Sequence, residues 1–185
     1  MSDTERRQSF RMPDRAAVEL KKLTTPEQPL TALFPPSAYD QLLQQLWVTD
    51  QEIERQLRRL DEQDRHVSHC LRLFGQKLEL LAQAACRSDD KIKTLSIELS
   101  EGGFSLQTDT PLTIGTTFAL RLRLQPRGIP LVCRTEVVYS RSDMGGKMLH
   151  GFRFIDLKEQ QRLMLIRHLF QLQAEARRQQ HDESA

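Results

Sequence analysis

The chain has 185 residues, 38% of them apolar, which is room for one ordinary domain plus an extension and enough to bury a core. Its 27 Lys and Arg against 25 Asp and Glu leave a net charge of +2, which excludes a general nucleic-acid footprint, so any anion site must be local. No apolar run approaches the length of a membrane span and MSDTERRQSF has no signal-like core, so the expected location is cytoplasmic; Cys70, Cys86 and Cys133 lack a C-x-x-C spacing, excluding a disulfide scaffold or structural zinc.

The first local feature is RRQSFR, Arg6 to Arg11, with three guanidinium groups in six residues. AAVELKK at 16–22 then reads as a strand, followed by the proline-punctuated linker 23–36.

Residues 37–88 are predicted to be helical, since no proline and a single glycine, Gly75, interrupt a run rich in Leu, Gln, Glu and Arg. Ser37 is the expected N-cap, with Asp40 three residues on. Alternate steps of three and four give Leu43, Leu46, Asp50, Ile53, Leu57, Leu60, Asp64, Val67, Leu71, Phe74, Leu78, Leu81 and Ala85, a heptad seam in an unbroken phase. One continuous helix of that length spans roughly 70 Å at about 1.5 Å per residue, so the seam predicts a homo-oligomeric coiled coil, with a tetramer favoured over a dimer. Folding back within the chain, mostly onto the C-terminal helix, is the alternative. Asp50 and Asp64 are read as polar seam residues that fix register or accept Arg and Lys from neighbouring chains, and the His66/His69 pair as a solvated face rather than a metal site.

Beyond the helix the period changes to two. KTLSIELS, FSLQTD, TFALRLRLQ, LVCRTEVVYS and HGFRFIDL alternate apolar and polar residues, separated by SEGG, TPLTIG, PRGIP and RSDMGGK. With 16–22 they predict a small antiparallel barrel whose first strand is cut off from the rest by the helical insertion. LKEQQRLMLIRHLFQLQAEARRQQ then forms a closing helix with Leu163, Ile166, Leu169, Phe170 and Leu172 as its apolar positions.

The pattern Arg7-Gln-Ser-Phe-Arg11, the later Glu98-Leu99-Ser100-Glu101-Gly102-Gly103 and the barrel ending in HGFRFIDL together resemble the PilZ domains, the bacterial receptors for cyclic di-GMP. The family's segments are R-x-x-x-R and [D/N]-x-S-x-x-G, so this chain departs at Glu98. The resemblance implies an α+β fold with a PilZ-like domain at 5–22 and 91–175, interrupted by the coiled-coil helix 37–88.

It also implies a ligand site. Arginine's planar fork suits phosphate oxygens and the guanine O6/N7 edge, which makes Arg7 and Arg11 the expected anchors and Arg6 a third candidate contact. Ser100 is a candidate phosphate donor, Gly102 or Gly103 would let the backbone approach the nucleotide, and Glu98 would accept from a guanine edge one methylene farther out than the family's residue. The expected function is a cyclic di-GMP receptor that oligomerises and relays binding to a downstream protein. The alternative is an oligomeric scaffold that no longer binds nucleotide. Catalysis is not expected, because no activated nucleophile or acid pair is visible, and neither is nucleic-acid binding, because the strands lack a basic groove with interleaved aromatics.

Overall fold

The computed structural model describes residues 11–25, 27–86, 94–125, 130–142 and 146–182. Arg6 and Arg7, and the turn segments 126–129 and 143–145, lie outside the described residues. Six strands are present among them: β1 (Met12–Lys22), β2 (Leu95–Ser100), β3 (Gly103–Thr108), β4 (Thr117–Leu124), β5 (Pro130–Ser142) and β6 (Met148–Phe154). The helices are α1 (Leu30–Leu33), α2 (Ala38–Gln63), α3 (Arg65–Cys86) and α4 (Glu159–Asp182). The barrel with α1 and α4 makes one compact unit, and α2 with α3 makes another.

All strand pairs are antiparallel, and the barrel closes in the order β1-β2-β3-β6-β5-β4. β1 performs the closure. Its first half, Met12 to Ala16, pairs with β2, and its second half, Ala16 to Lys22, pairs with β4. A strand that precedes the helical insertion thus holds both edges of the sheet that follows it.

The alternation read in the sequence sets the inside of the barrel. Leu120 and Leu122 of β4, Leu131, Cys133 and Val137 of β5, and Ile97 and Leu99 of β2 are buried, while Arg121, Arg134 and Glu98 point outward between them. Phe104 stacks on Phe152 at 4.7 Å between ring centroids, and α4 adds the fully buried Leu165 to the same core. A bulge between Val137 and Tyr139 shifts the register of β5 on β6, and the pairing continues on both sides of it.

The closing helix is present, but its buried stripe is displaced from the expected one. Leu165 is buried and Met164 and Leu169 pack against the core, whereas Leu163 and Phe170 are exposed. The linker is also more structured than its composition suggests. Phe34 is buried between Lys21 Nζ, 4.8 Å from its ring centroid, and the Arg121 guanidinium at 5.0 Å, while Lys21 donates to Leu33 O at 2.7 Å. Arg121 in turn makes a bidentate pair with Glu19, both bonds 2.7 Å, so α1 is fastened to the β1/β4 face.

The helical insertion begins as expected, with Ser37 and Asp40 forming a reciprocal capping box. It is not one continuous helix. Asp64 leaves the helical conformation, at φ −147° and ψ 96°, and its Oδ1 accepts from His66 N at 3.0 Å and Val67 N at 3.1 Å, which caps α3. The expected seam position is therefore a helix boundary, because aspartate offers freed N–H groups an acceptor that a seam would leave buried.

The two helices touch across this elbow. Arg72 donates to Asp61 at 2.8 Å, and the buried Ser68 donates to Leu57 O at 3.4 Å. Eleven residues separate the members of each pair, or about 16 Å along a straight helix, so both bonds require the bend. Trp47, not Leu46, joins Leu43 among the buried residues of α2. Leu46, Ile53, Val67, Leu71, Phe74, Leu78 and Leu81 are exposed, while Leu57 and Leu60 are half-buried.

Candidate functional site

The chain reversal between β2 and β3 is made by Glu101 and Gly102, with Ser100 paired to Gly103 across it. Ser100 is buried, and its Oγ donates to Gly103 O at 3.0 Å, so the hydroxyl closes the turn. Gly103 is required by packing: a Cβ there would lie 1.9 Å from the carbonyl oxygen of Phe152 on β6. At Gly102 a Cβ would meet nothing within 4 Å, and the Gly102 carbonyl accepts from Phe154 N at 3.0 Å.

Arg11 stands one residue before the pairing of Met12 with Leu99, which brings it to the end of the ladder where Ser100 finishes β2. Its guanidinium lies 3.9 Å from Glu98, which projects outward from β2 and also accepts from Ser105 Oγ at 3.3 Å. Arg11 and Glu98 are both more than half exposed. The structure thus brings Arg11, Glu98, Ser100 and Gly103 to one end of the barrel.

Two residues of α4 also belong to this end, and sequence reasoning missed both. Arg162 pairs with Glu101 at 3.3 Å, and His168 Nε2 lies 2.8 Å from Asp14 Oδ2 with both side chains largely buried. The only signal in the sequence was that both lie outside the assigned apolar positions of that helix, which does not say what they face. A shallow pocket of about 280 Å³ opens beside the turn, lined by Glu101, Gly102, Phe154, Ile155, Leu157 and Arg162.

Each described arginine at this end faces a carboxylate, Arg11 that of Glu98 and Arg162 that of Glu101. Cys133 is sealed in the core, where burial pushes its thiol up to about 12. His150 is a core histidine, its Nε2 3.0 Å from Thr108 Oγ1 and 3.1 Å from Thr110 O. Among the described residues no group of three or more His, Cys, Asp or Glu is arranged to hold a metal, and no helix is long and apolar enough to cross a membrane.

Comparison with known proteins agrees with this architecture. No curated protein matches the chain. Among solved structures it is similar to a tetrameric PilZ domain protein from Xanthomonas campestris, described as self-assembled via an unusual helical bundle. That match has 18% identity, covers 92% of this chain and 89% of the other, and has a TM-score of 0.52, a likeness of fold. YcgR from Escherichia coli in complex with c-di-GMP matches at 15% identity over 97% of this chain and 51% of that one, with a TM-score of 0.48. The PilZ domain of YcgR with c-di-GMP matches at 15% identity over 95% and 98%, with a TM-score of 0.42. The family model for the PilZ domain matches residues 77–171, just over half of the 185-residue chain. The chain therefore belongs to the PilZ domain family.

Proposed function

We propose that this chain is a cyclic di-GMP receptor, a binding protein rather than an enzyme, that self-associates through α2 and α3 and passes the ligand's presence to a protein partner in the cytoplasm. The observation that carries the ligand reading is the meeting of the two motif segments. Arg11 from the N-terminal segment and Glu98, Ser100 and Gly103 from the β2–β3 hairpin share one barrel end, although the whole helical insertion separates them in the chain.

Arg7 lies four residues before Arg11 and, with Arg6, would supply further guanidinium groups for the phosphodiesters and guanine edges. Engagement of a dianion requires Arg11 to leave Glu98, a small cost because an exposed ion pair is worth about 0–1 kcal/mol. Ser100, whose hydroxyl holds Gly103 O, acts by shaping the turn unless ligand binding turns it outward. Contact of the N-terminal segment with ligand at the barrel end would present a new surface to a partner.

Self-association is supported by the exposed apolar side chains of α2 and α3, among them Ile53, Val67, Leu71, Phe74, Leu78 and Leu81. The helical-bundle tetramer of the similar Xanthomonas campestris protein favours four copies. The Arg11–Glu98 pair also favours a second reading, an oligomeric scaffold without nucleotide, since the carboxylate holds the arginine and would repel phosphate.

Titration calorimetry of the full chain with cyclic di-GMP, beside an Arg7→Ala/Arg11→Ala double variant, separates the two. Micromolar binding that disappears in the variant supports the receptor. Absence of heat and of competition at about 100 μM ligand, some 5.5 kcal/mol of binding free energy, leaves the scaffold.

A further inference from the structure

An arginine that belongs to neither motif segment pairs with the β2–β3 turn. Arg162, near the start of α4, places Nη1 3.3 Å from Glu101 Oε1, and both side chains are about half exposed at 49%. They stand at the rim of the 280 Å³ pocket, whose wall is completed by Gly102, Phe154, Ile155 and Leu157. Glu101 directly follows Ser100, so the pocket adjoins the end of the barrel where Arg11 and Ser100 meet.

The helix that presents Arg162 is fixed at two further points. Leu165 is fully buried in the core, and His168 Nε2 is 2.8 Å from Asp14 Oδ2 on β1. Six residues of helix, about 9 Å of rise, connect the contact at the turn with the contact at β1. Arg162 is therefore held at this end by a rigid element, whereas Arg11 stands just outside the first strand.

A cyclic dinucleotide with two phosphodiesters and two guanines offers several acceptor pairs, and a guanidinium fork takes such pairs in a bidentate way. The pocket is at the lower limit of ligand cavities, which run about 300–1,000 Å³, so it suits one portion of that molecule rather than the whole. Its apolar wall and the open space at Gly102 admit a base or a sugar-phosphate beside the charged rim.

We propose, resting on the receptor reading above, that Arg162 is a further ligand-binding residue, held by Glu101 in the free protein and transferred to an acceptor pair of the bound cyclic dinucleotide. Glu101 is then an internal competitor for the same guanidinium. The two partners of one ion pair have opposite effects on affinity, which a purely structural pair does not produce.

The test is calorimetric titration of the full chain with cyclic di-GMP, for the wild type, Arg162→Gln, Glu101→Gln and the double variant, with thermal midpoints measured beside them. Arg162→Gln is expected to weaken binding about tenfold or more, the loss of one charge-assisted fork. Glu101→Gln is expected to tighten it roughly threefold, and that gain is expected to vanish in the double variant. A wild type that binds while Arg162→Gln stays within about twofold of it overturns the assignment and leaves the receptor reading intact. Equal losses in both single variants overturn it in favour of a structural pair, and a wild type that gives no heat overturns both readings.

Discussion

Gly103 lies so close to Phe152 that a Cβ added to it would sit 1.9 Å from the Phe152 carbonyl oxygen. The glycine that the family pattern assigns to the ligand site is thus also the residue that lets β3 pair with β6. Gly103→Ala is expected to destabilise the barrel by about 2 kcal/mol or more, since backbone, not a flexible side chain, must give way. Gly102→Ala, with open space at its Cβ, is expected to stay within about 0.5 kcal/mol of wild type. Urea unfolding of the two variants at one protein concentration checks the pair, and equal midpoints would remove the packing explanation.

Glu98 holds Arg11 at 3.9 Å and takes the Ser105 hydroxyl at 3.3 Å. Glu98→Asn supplies one of the family's residues at this position, keeps a carbonyl acceptor and removes the carboxylate that competes with phosphate for Arg11. Affinity for cyclic di-GMP is expected to rise about tenfold, the scale of one good base or phosphate contact. Competition against a fluorescent cyclic di-GMP measures it; an unchanged or weaker constant shows that the longer carboxylate is already well used.

Asp64 ends α2 with its backbone and starts α3 with its side chain. Replacing it with Ala removes two acceptor contacts and supplies the best helix former, so α2 and α3 are expected to merge toward one helix. The capping contribution lost is about 1 kcal/mol. Small-angle scattering is expected to report a larger maximum dimension for Asp64→Ala, with no loss of far-ultraviolet helix signal. An unchanged dimension would mean that the Asp61–Arg72 and Ser68–Leu57 bonds hold the elbow without the cap.

The strands were legible because one face of each is buried and the other wet, which writes a period of two into TFALRLRL and LVCRTEVV. The N-cap at Ser37 was legible for a local reason as well: its capping box lies within four residues. The elbow was not. Asp64 falls in a heptad position of a run rich in Leu, Gln, Glu and Arg, so its capping of His66 N and Val67 N and the bonds to Asp61 and Leu57 come to light only in the structure. Motif spacing made Arg11, Ser100 and Gly103 candidates, and the structure places them at one barrel end, whereas Arg162 and His168 enter only through the way α4 lies against β1 and the hairpin.

The elbow also carries a pH dependence with a definite sign. The hydrogen bond from Arg72, foremost, lowers the Asp61 carboxyl below its ordinary value, against a smaller opposing effect of burial. A depressed carboxylate contributes stability above its unfolded pKa and loses it as pH falls through the folded one, so the contribution is present at neutral pH and fades below about pH 4. Asp61→Asn, which imitates the protonated form, is expected to melt below wild type at neutral pH, with the gap narrowing as pH falls below about 4. A gap between the melting midpoints that is independent of pH would assign the effect to shape rather than charge.

Phe74 is 61% exposed, Leu78 54% and Leu71 47%, all on α3 and all in the seam that the heptad spacing defines. Three large apolar side chains on one helix are costly to leave in water, each worth about 1.5–3 kcal/mol when fully buried. Introducing charge at two of them, Leu71→Glu with Leu78→Glu, puts like charges from every copy into the shared face. Light scattering after size exclusion is expected to show the oligomer falling to monomer, while the far-ultraviolet spectrum of the barrel persists because none of its core residues is touched. If the mass is unchanged, the assembly uses another face. If the double variant is monomeric but still binds cyclic di-GMP with the wild-type constant, the ligand site is complete within one copy, and self-association through these helices adds nothing to the affinity for the nucleotide.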